Sequence, residues 1–308
     1  MKNTKEREAQ SFYHVCAYGH DSKNFIVSQR DWYAAFNLVG VCIAKHLTVK
    51  VMAFTIEDSH PHFLLFGSYG DCKAFIDDYQ SEYYHHLSST RGSYDGVVLR
   101  FELLPVNDEK YLMNVAAYVL VQPTKDGKKI MPHDYLWGTG SMYFRSELHI
   151  DIWRIREGGI VEAPRMVRDL TSREKREILF SRTYCVPDNW LVCNGFLMPT
   201  NYVDVKLFES IFKTHNAFRF FTSISGKALQ EVEASIAHYL GVAIEDYEAR
   251  KICIECSRKM FGNGDARRLN SEQRLRLAMS LRKEHRLSFR QLSALVHLPE
   301  SELKQYIN

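Results

Sequence analysis

The sequence predicts an α+β fold in which an antiparallel sheet with helices comes first and a mainly helical region follows. Two observations support this prediction. Between Ser11 and Gln122, segments of alternating apolar residues and segments with apolar residues at helical spacing follow one another in a regular order. After about residue 150 the alternating segments fade, and helical periodicity and capping motifs take their place.

Four strands and three helices are predicted in the first part. The strands are segments in which β-branched and aromatic residues alternate with others: Ser11–Tyr18, His46–Ile56, His62–Phe66 and Val97–Val106. The helices have apolar residues three and four positions apart: Asp31–Lys45, Cys72–Ser88 and Asp108–Gln122, the last ended by Pro123. The order β-α-β-β-α-β, followed by a helix, indicates a ferredoxin-like antiparallel sheet with helices on one face.

The rest of the chain is predicted to be a connector with helices. We divide the chain into residues 1–150, 151–265 and 266–308 as three domains. Thr171 and Glu174 form a capping box that begins a helix. A loop is predicted at Gly195–Asn201, and helices at Val205–Lys213 and Lys227–Leu240.

The tail, residues 266–308, has the pattern of a helix-turn-helix DNA-binding module. Its predicted parts are the amphipathic helix Ser271–Glu284, a helix capped by Ser288 and Gln291, a break at His297–Pro299, and the helix Glu300–Ile307. The tail holds nine lysines and arginines against four glutamates, whereas the whole chain has a net charge of only +3. Such a basic end favours contact with nucleic acid. A helical hairpin that only caps the domain would show the same pattern.

Composition sets limits on the class of protein. No stretch approaches the roughly 18 apolar residues of a membrane span, and the N-terminal segment MKNTKEREAQ lacks the apolar part of a signal peptide. We therefore expect a cytoplasmic protein with no membrane partner. The seven cysteines are expected to be reduced. Cys253 and Cys256 form one CxxC, which is expected to be a pair of core or partly buried thiols because a zinc site needs two more ligands.

His60 and His62 are candidate metal ligands. One residue separates them, so on a strand both imidazoles would point to the same face of the sheet. Two neutral imidazoles on one face are a good start to a divalent metal site. However, a His-x-His pair also arises by chance in a chain with 13 histidines.

Tyr118 and Gln122 are a second candidate pair. They lie four residues apart on a predicted helix, so they share one of its faces. The Tyr118 phenol becomes a nucleophile when a base or a metal activates it, and the carbonyl oxygen of Gln122 is a ligand for hard metals. With His60 and His62 they would form a Mg²⁺ or Mn²⁺ site beside a nucleophile. The alternative is a core aromatic residue and a polar residue near a helix end.

Three segments, in order, resemble the single-tyrosine HUH transposases and most of all the REP-associated tyrosine transposases. VMAFTIEDSHPHFLLFG resembles the strand that leads into a His-hydrophobic-His motif, and YLMNVAAYVLVQPTKDG resembles the helix with the catalytic tyrosine. MPHDYLWGTGSMYF resembles an Asp-Tyr-Pro-Trp-Ser-Ser stretch. The resemblance ends at about residue 145 and so covers roughly half of the chain.

The resemblance implies a ferredoxin-like HUH domain in which His60, His62 and Gln122 hold Mg²⁺ or Mn²⁺ and Tyr118 is the nucleophile. It implies a single-stranded DNA substrate, often beside a hairpin. The product would be a covalent 5′-phosphotyrosine with a free 3′-hydroxyl, so that strands are rejoined without an external energy source. The alternative function is a catalytically inactive, domesticated DNA-binding regulator. Both a monomer and a homodimer are compatible with the sequence.

Pro61 occupies the middle of the His-x-His motif, where the family usually has an aliphatic residue. Proline cannot donate to a strand ladder. We therefore expect either a strand that begins at about His62 or a bulge that changes the direction of the two rings.

Overall fold

The computed structural model describes most of the chain: residues 9–18, 25–92, 97, 99–125, 130–146, 148–181, 185–223, 231–236, 246–285, 287 and 289–306. The chain divides into two compact units, Met1–Gly226 and Lys227–Asn308. The three functional domains expected from the sequence remain a prediction. Within the described part of the chain, none of the helices has the length and apolar character that crossing a bilayer requires.

The first unit is built on an antiparallel sheet of four strands. They are β1 (Ser11–Tyr18), β2 (Lys50–Ile56), β3 (Pro61–Gly67) and β4 (Arg100–Val106). Their order across the sheet is β2-β3-β1-β4, and the predicted α+β fold with an antiparallel sheet is confirmed. In the register of the sheet, His62 on β3 lies opposite Cys16 on β1 and Thr55 on β2.

Two helices cover one face of this sheet: α1 (Gln29–Ile43) and α2 (Tyr69–Arg91). Phe36 of α1 packs edge-on against Phe54 of β2, with ring centroids 5.2 Å apart. Tyr79 of α2 packs against Phe63 of β3 at 5.3 Å. The helix α1 begins at a capping box in which Ser28 and Asp31 bond to each other's backbone, because the first amides of a helix need such acceptors.

A third helix, α3 (Glu109–Lys125), packs on the opposite face. Its Tyr118 contacts the rings of His14 and His62, and His62 points away from its neighbour Phe63 because side chains alternate along a strand. The sheet therefore has helices on both faces, and the prediction of helices on one face is wrong, because α3 packs against the face that carries His62. The prediction that Pro123 ends this helix is wrong, since Pro123 lies inside α3.

The outer edge of β2 is covered by two segments from farther along the chain. The Ile56 amide donates to the Trp137 carbonyl at 2.8 Å, and the Thr139 amide donates to the Phe54 carbonyl at 3.0 Å. Farther along the strand, the Asp204 amide donates to the Val51 carbonyl at 2.9 Å. Three polar backbone groups on the outer edge of this strand are thus paired within the chain.

A small second sheet follows, made of β5 (Arg165–Met166), β6 (Leu191–Cys193) and β7 (Phe196–Leu197). The predicted loop at Gly195–Asn201 therefore contains a strand. The buried Asn37 of α1 fixes this region, because its amide nitrogen donates to the carbonyls of Ile178 and Gly195 and its oxygen accepts from the Leu197 amide. The remaining helices of this unit are α4 (Ser172–Leu179), α5 (Val205–Phe212) and α6 (His215–Ser223), and α4 begins at the predicted capping box of Thr171 and Glu174.

The second unit is helical over its described residues. Its helices are α7 (Asp246–Phe261), α8 (Ser271–His285), α9 (Phe289–Val296) and α10 (Glu300–Tyr306), and residues 231–236 are also helical. One apolar cluster joins α7 to the later helices through residues such as Cys253, Leu281, Leu292 and Leu303. A turn with His297 in the left-handed region (φ 55°) separates α9 from α10. Ser288, the predicted cap, and most of the predicted helix Lys227–Leu240 lie outside the described residues.

Candidate metal centre

Glu57, His60 and His62 form a cluster at the hairpin between β2 and β3. One ligand atom from each residue lies within 4.8 Å of the others. The Glu57 amide donates to the His60 carbonyl at 3.0 Å, which closes the hairpin, and the Glu57 carboxylate lies 3.2 Å from Nε2 of His62. Glu57 was not predicted from the sequence. Its signal was a carboxylate in the short link just ahead of the His-x-His motif.

The strand β3 begins at Pro61, and both histidines still turn toward one another. Pro61 pairs with Ile56, but the Ile56 amide donates to Trp137 instead, and a proline is tolerated as the first residue of a strand. The ring centroids of His60 and His62 are 4.5 Å apart. The proline is therefore accommodated at the start of the strand. His60 precedes the strand and is half-buried, whereas His62 is buried.

Tyr118 lies on the other side of His62. Their ring centroids are 5.7 Å apart, with the ring planes at 79°. The phenol is buried, at 5% exposure. Burial raises the pKa of Tyr118 well above its usual range, with Cys16 and Glu57 adding to the increase, while a hydrogen bond from the Gln122 side chain acts in the opposite direction. Without assistance this phenol is therefore a poor nucleophile at neutral pH.

Gln122 is placed next to Tyr118, as their spacing predicts. Its side-chain nitrogen donates to the Tyr118 carbonyl at 2.9 Å, and the residue is buried. The amide nitrogen is thus turned toward Tyr118, and Oε1 is the atom of Gln122 with the chemistry of a metal ligand. The hydrogen bonds described for Gln122 are with Tyr118, so its place among the metal ligands stays a prediction.

His14 is a further imidazole at this site that was not predicted from the sequence. It is 0% exposed; its ring centroid lies 5.4 Å from that of Tyr118 and 6.3 Å from that of His62. Burial, and then the proximity of His62, lowers the pKa of His14 to about 3, so its ring is neutral at pH 7. Neither of its nitrogens has a hydrogen-bond partner among the described residues.

The donor set of Glu57, His60 and His62 fits a divalent cation. One carboxylate and two imidazoles are common protein ligands of such ions, and a site with three protein ligands can keep a position open for substrate. Among the described residues, this is the one group of three or more His, Cys, Asp or Glu side chains with such spacing. Cys253 is a buried thiol with its pKa raised to about 11 by burial, and Cys256 is partly buried, in line with the expectation for the CxxC pair.

The comparisons with known proteins give a distant structural similarity. No family model matches the sequence, and no curated protein matches it. Among solved structures, the chain is similar to a REP-associated tyrosine transposase bound to a REP hairpin, with 13% sequence identity and a TM-score of 0.31. The matched region covers 45% of this chain and 81% of that one. A TM-score this low carries no conclusion about function.

Proposed function

We propose that this protein is a DNA strand transferase that cuts and rejoins one strand through Tyr118, with Mg²⁺ or Mn²⁺ held by Glu57, His60 and His62. One observation carries the proposal: the Tyr118 ring lies beside His62 of the three-ligand cluster, with centroids 5.7 Å apart. A nucleophile and a candidate metal centre that meet in one place provide the parts that phosphoryl transfer to a phenol needs. The sequence resemblance to HUH transposases supports the same reaction.

The proposed reaction needs no reactant other than the DNA strand and the Tyr118 phenol. The Tyr118 oxygen forms a bond to phosphorus, and the bond from phosphorus to the 3′ oxygen breaks. The strand is left with a 5′-phosphotyrosine and a 3′-hydroxyl, and the proton lost by the phenol is matched by the one that the 3′ oxygen gains. Attack by a 3′-hydroxyl reverses the step. A bound divalent ion would polarise a phosphoryl oxygen and offset the charge that develops there.

Gln122 has two proposed roles at this site. Its amide nitrogen donates to the Tyr118 carbonyl at 2.9 Å and so holds its own side chain beside the nucleophile. Its Oε1 atom is proposed as a further ligand, as the resemblance implies.

The route to the site is proposed to pass by His60. Tyr118, Glu57 and His62 are each 5% exposed or less, while His60 is half-buried. A phosphodiester would therefore approach at the hairpin between β2 and β3. The substrate we propose is single-stranded DNA beside a hairpin, and the tail is proposed as a helix-turn-helix module that adds contacts to DNA.

The second candidate function is a catalytically inactive DNA-binding regulator. The burial of Tyr118 favours it, because a nucleophile must reach its substrate. A single assay separates the two functions. Labelled hairpin DNA with a single-stranded flank is incubated with Mn²⁺, and the products are run on a denaturing gel.

We expect the wild-type protein to form a covalent adduct that maps to Tyr118. Tyr118→Phe should abolish the adduct and keep DNA binding, because only the reacting oxygen is removed. Tyr83 and Tyr84 are poorer candidates, since the Tyr83 hydroxyl donates to the Phe25 carbonyl at 2.6 Å and the Tyr84 hydroxyl accepts from the Leu99 amide at 2.9 Å. DNA binding without any adduct would favour the regulator. An adduct on Tyr111 or another tyrosine would show that this residue, and not Tyr118, is the nucleophile.

A further inference from the structure

Two tryptophans stack on each other on the side of the sheet that α1 covers. Trp32 lies in the first turns of α1, and Trp137 lies in the segment that covers the edge of β2. Their ring centroids are 5.2 Å apart and their planes differ by 26°. Both rings are half-buried. Indole surface that is still open to solvent can take a further aromatic ring by stacking.

Backbone hydrogen bonds join the segments that carry the two tryptophans to the hairpin around residues 56–58. The Trp137 carbonyl accepts from the amide of Ile56, the residue just before Glu57, at 2.8 Å. The Ile26 amide donates to the Asp58 carbonyl at 3.1 Å, and Ile26 lies two residues ahead of the cap of α1. The segments that carry the two rings are therefore bonded to the same hairpin that carries the candidate metal ligands.

Trp137 is the anchored ring of the pair. Tyr33 meets it edge-on with centroids 5.3 Å apart, and Phe196 packs against it at 5.4 Å. Trp32 stacks against this fixed ring, so its own orientation is set before any ligand arrives. A pre-oriented ring loses little conformational entropy when it binds.

A cavity of about 500 Å³ adjoins the stack at Tyr33, and it is also lined by Gln29, Arg30, Glu177 and Phe180. Arg30 is exposed, and its guanidinium lies 5.6 Å from the centre of the Phe180 ring. An exposed cation next to aromatic surface suits a strand of nucleic acid, in which charged phosphates alternate with flat bases.

We infer that the Trp32–Trp137 stack is a platform on which unpaired bases of DNA stack. The inference rests on the proposed function, because it takes single-stranded DNA as the substrate of this protein. Trp32 makes the contact, and Trp137 is the positioning residue. Single-stranded DNA is the occupant that fits, since bases within a duplex are already stacked on one another, and every base offers a π-face.

The test measures binding and not cleavage. A fluorescently labelled oligothymidylate is titrated with the full-length protein in EDTA, and anisotropy gives Kd at several salt concentrations. We expect Trp32→Leu to weaken binding at least about fivefold, because loss of one base–aromatic stack costs about 1–3 kcal/mol. The salt dependence should stay unchanged, since no charge is removed. Trp32→Phe should weaken binding less than Trp32→Leu.

Trp190→Leu is the matched control. Trp190 is a half-buried tryptophan that also stacks on an aromatic ring, that of Tyr202, at 5.7 Å and 30°. The Trp190→Leu variant should bind the oligonucleotide with a Kd within about twofold of that of the wild type. Equal Kd for wild type and Trp32→Leu, or the same loss for duplex DNA as for the single strand, would overturn the platform. Absence of the covalent adduct with intact, Trp32-dependent binding would instead overturn the proposed catalysis and leave the platform standing.

Discussion

The ring of Tyr118 meets the ring of His62 nearly at a right angle, at a centroid distance of 5.7 Å, across the interface of α3 and β3. The hydroxyl-bearing side chain comes from a helix and the imidazole from the sheet. Each is held by its own element, and the two elements pack as part of one core. The relative position of the proposed nucleophile and the proposed metal ligand is therefore fixed by packing and not by a flexible loop, which favours precise chemistry.

Loss of any one ligand should weaken metal binding. We expect His60→Ala, His62→Ala and Glu57→Gln each to reduce Mn²⁺ affinity at least about tenfold, because even residues that only support a ligand alter affinity by about 10–100-fold. Isothermal titration calorimetry measures the affinity. His46→Ala is the control, because His46 also faces a carboxylate, that of Asp78, at 3.0 Å. Unchanged Mn²⁺ affinity in both histidine variants of the cluster would show that it does not bind the metal.

Replacing His14 by an apolar residue of similar size should stabilise the metal-free protein. Neither nitrogen of His14 has a partner among the described residues, and a buried polar group without one costs about 1–3 kcal/mol. We expect His14→Leu to raise the free energy of unfolding by about 1 kcal/mol at pH 7, as measured by urea denaturation.

This gain should grow as the pH falls. In the folded state the pKa of His14 is lowered from the usual 6.5 of a histidine to about 3. Between these two values the unfolded chain binds the extra proton, so His14 lowers the stability of the wild-type protein as the pH drops below about 6.5, and this contribution is absent from the Leu variant. His46→Leu should lose stability at pH 7, because it removes the pairing of His46 with Asp78. A destabilised His14→Leu variant would indicate that His14 has a partner in solution.

Asp31 should contribute strongly to stability at neutral pH. It is 2% exposed, and its carboxylate accepts hydrogen bonds from Arg91 at 2.7 Å and from Ser28 Oγ at 2.8 Å and lies 2.9 Å from Nε2 of His86. Burial raises its pKa, but the bonds from Arg91, His86 and Ser28 outweigh burial and hold the pKa well below its usual range. We expect Asp31→Asn to cost about 3 kcal/mol at pH 7, because it leaves Arg91 without its charge partner.

The cost of Asp31→Asn should shrink as the pH falls below about 4, where an unperturbed aspartate takes up a proton. A depressed folded-state pKa gives stability that is present above the unfolded value and lost as the pH approaches the folded one. Denaturation at pH 7, 5 and 3 measures the trend. Asp77→Asn is the control, since Asp77 is 55% exposed in its pair with Lys73 and should cost no more than about 1 kcal/mol. A cost of Asp31→Asn that does not change with pH would contradict the ionised cluster.

Exposed arginines of the tail should set part of the salt dependence of DNA binding. Arg268 and Arg276 are 77% and 65% exposed. Replacing both with Gln should reduce the slope of log K against log salt by about 0.7–0.9 for each DNA phosphate that the protein no longer neutralises. Arg168→Gln with Arg173→Gln, at positions 59% and 84% exposed in the first unit, is the charge-matched control. An unchanged slope in the tail variant would mean that these arginines do not touch DNA.

Point substitutions are the better test of the tail than deletion of residues 271–308. Ala249 and Cys253 of α7 share one apolar cluster with Leu277, Leu281 and residues up to Leu303. Deletion would expose this cluster, so any loss of DNA binding could come from unfolding of the whole unit.

Local patterns predicted much of the fold. Alternation located β1 at Ser11–Tyr18 to the residue, and Thr171 with Glu174 gave the start of α4. Prediction was poorer where the signal is short or the context is distant. The strands of the second sheet have two or three residues, too few for alternation to show. Pro123 is tolerated inside α3, close to the end of the helix, where few backbone bonds are at risk.

The same holds for the candidate site: local patterns predicted some of its residues, and the residues that depend on distant contacts were missed. His60 and His62 were found because one residue separates them, and Tyr118 and Gln122 because one helical turn does. The contact of Tyr118 with His62 depends on how α3 packs on the sheet, and the place of His14 depends on which strand lies beside β3. His14 shares a face with Cys16, which pairs with His62, and no pattern near His14 in the sequence reports that pairing.

The covering of the β2 edge has a consequence for association between molecules. An unpaired edge strand is a template on which a strand from another chain can add, which leads to sheet-to-sheet dimers or aggregates. Along β2, the carbonyls of Val51 and Phe54 and the amide of Ile56 are already bonded to Asp204, Thr139 and Trp137. Strand addition from another molecule at this edge would first require these residues to detach from β2. The bond between Trp137 and Ile56 would then be lost as well.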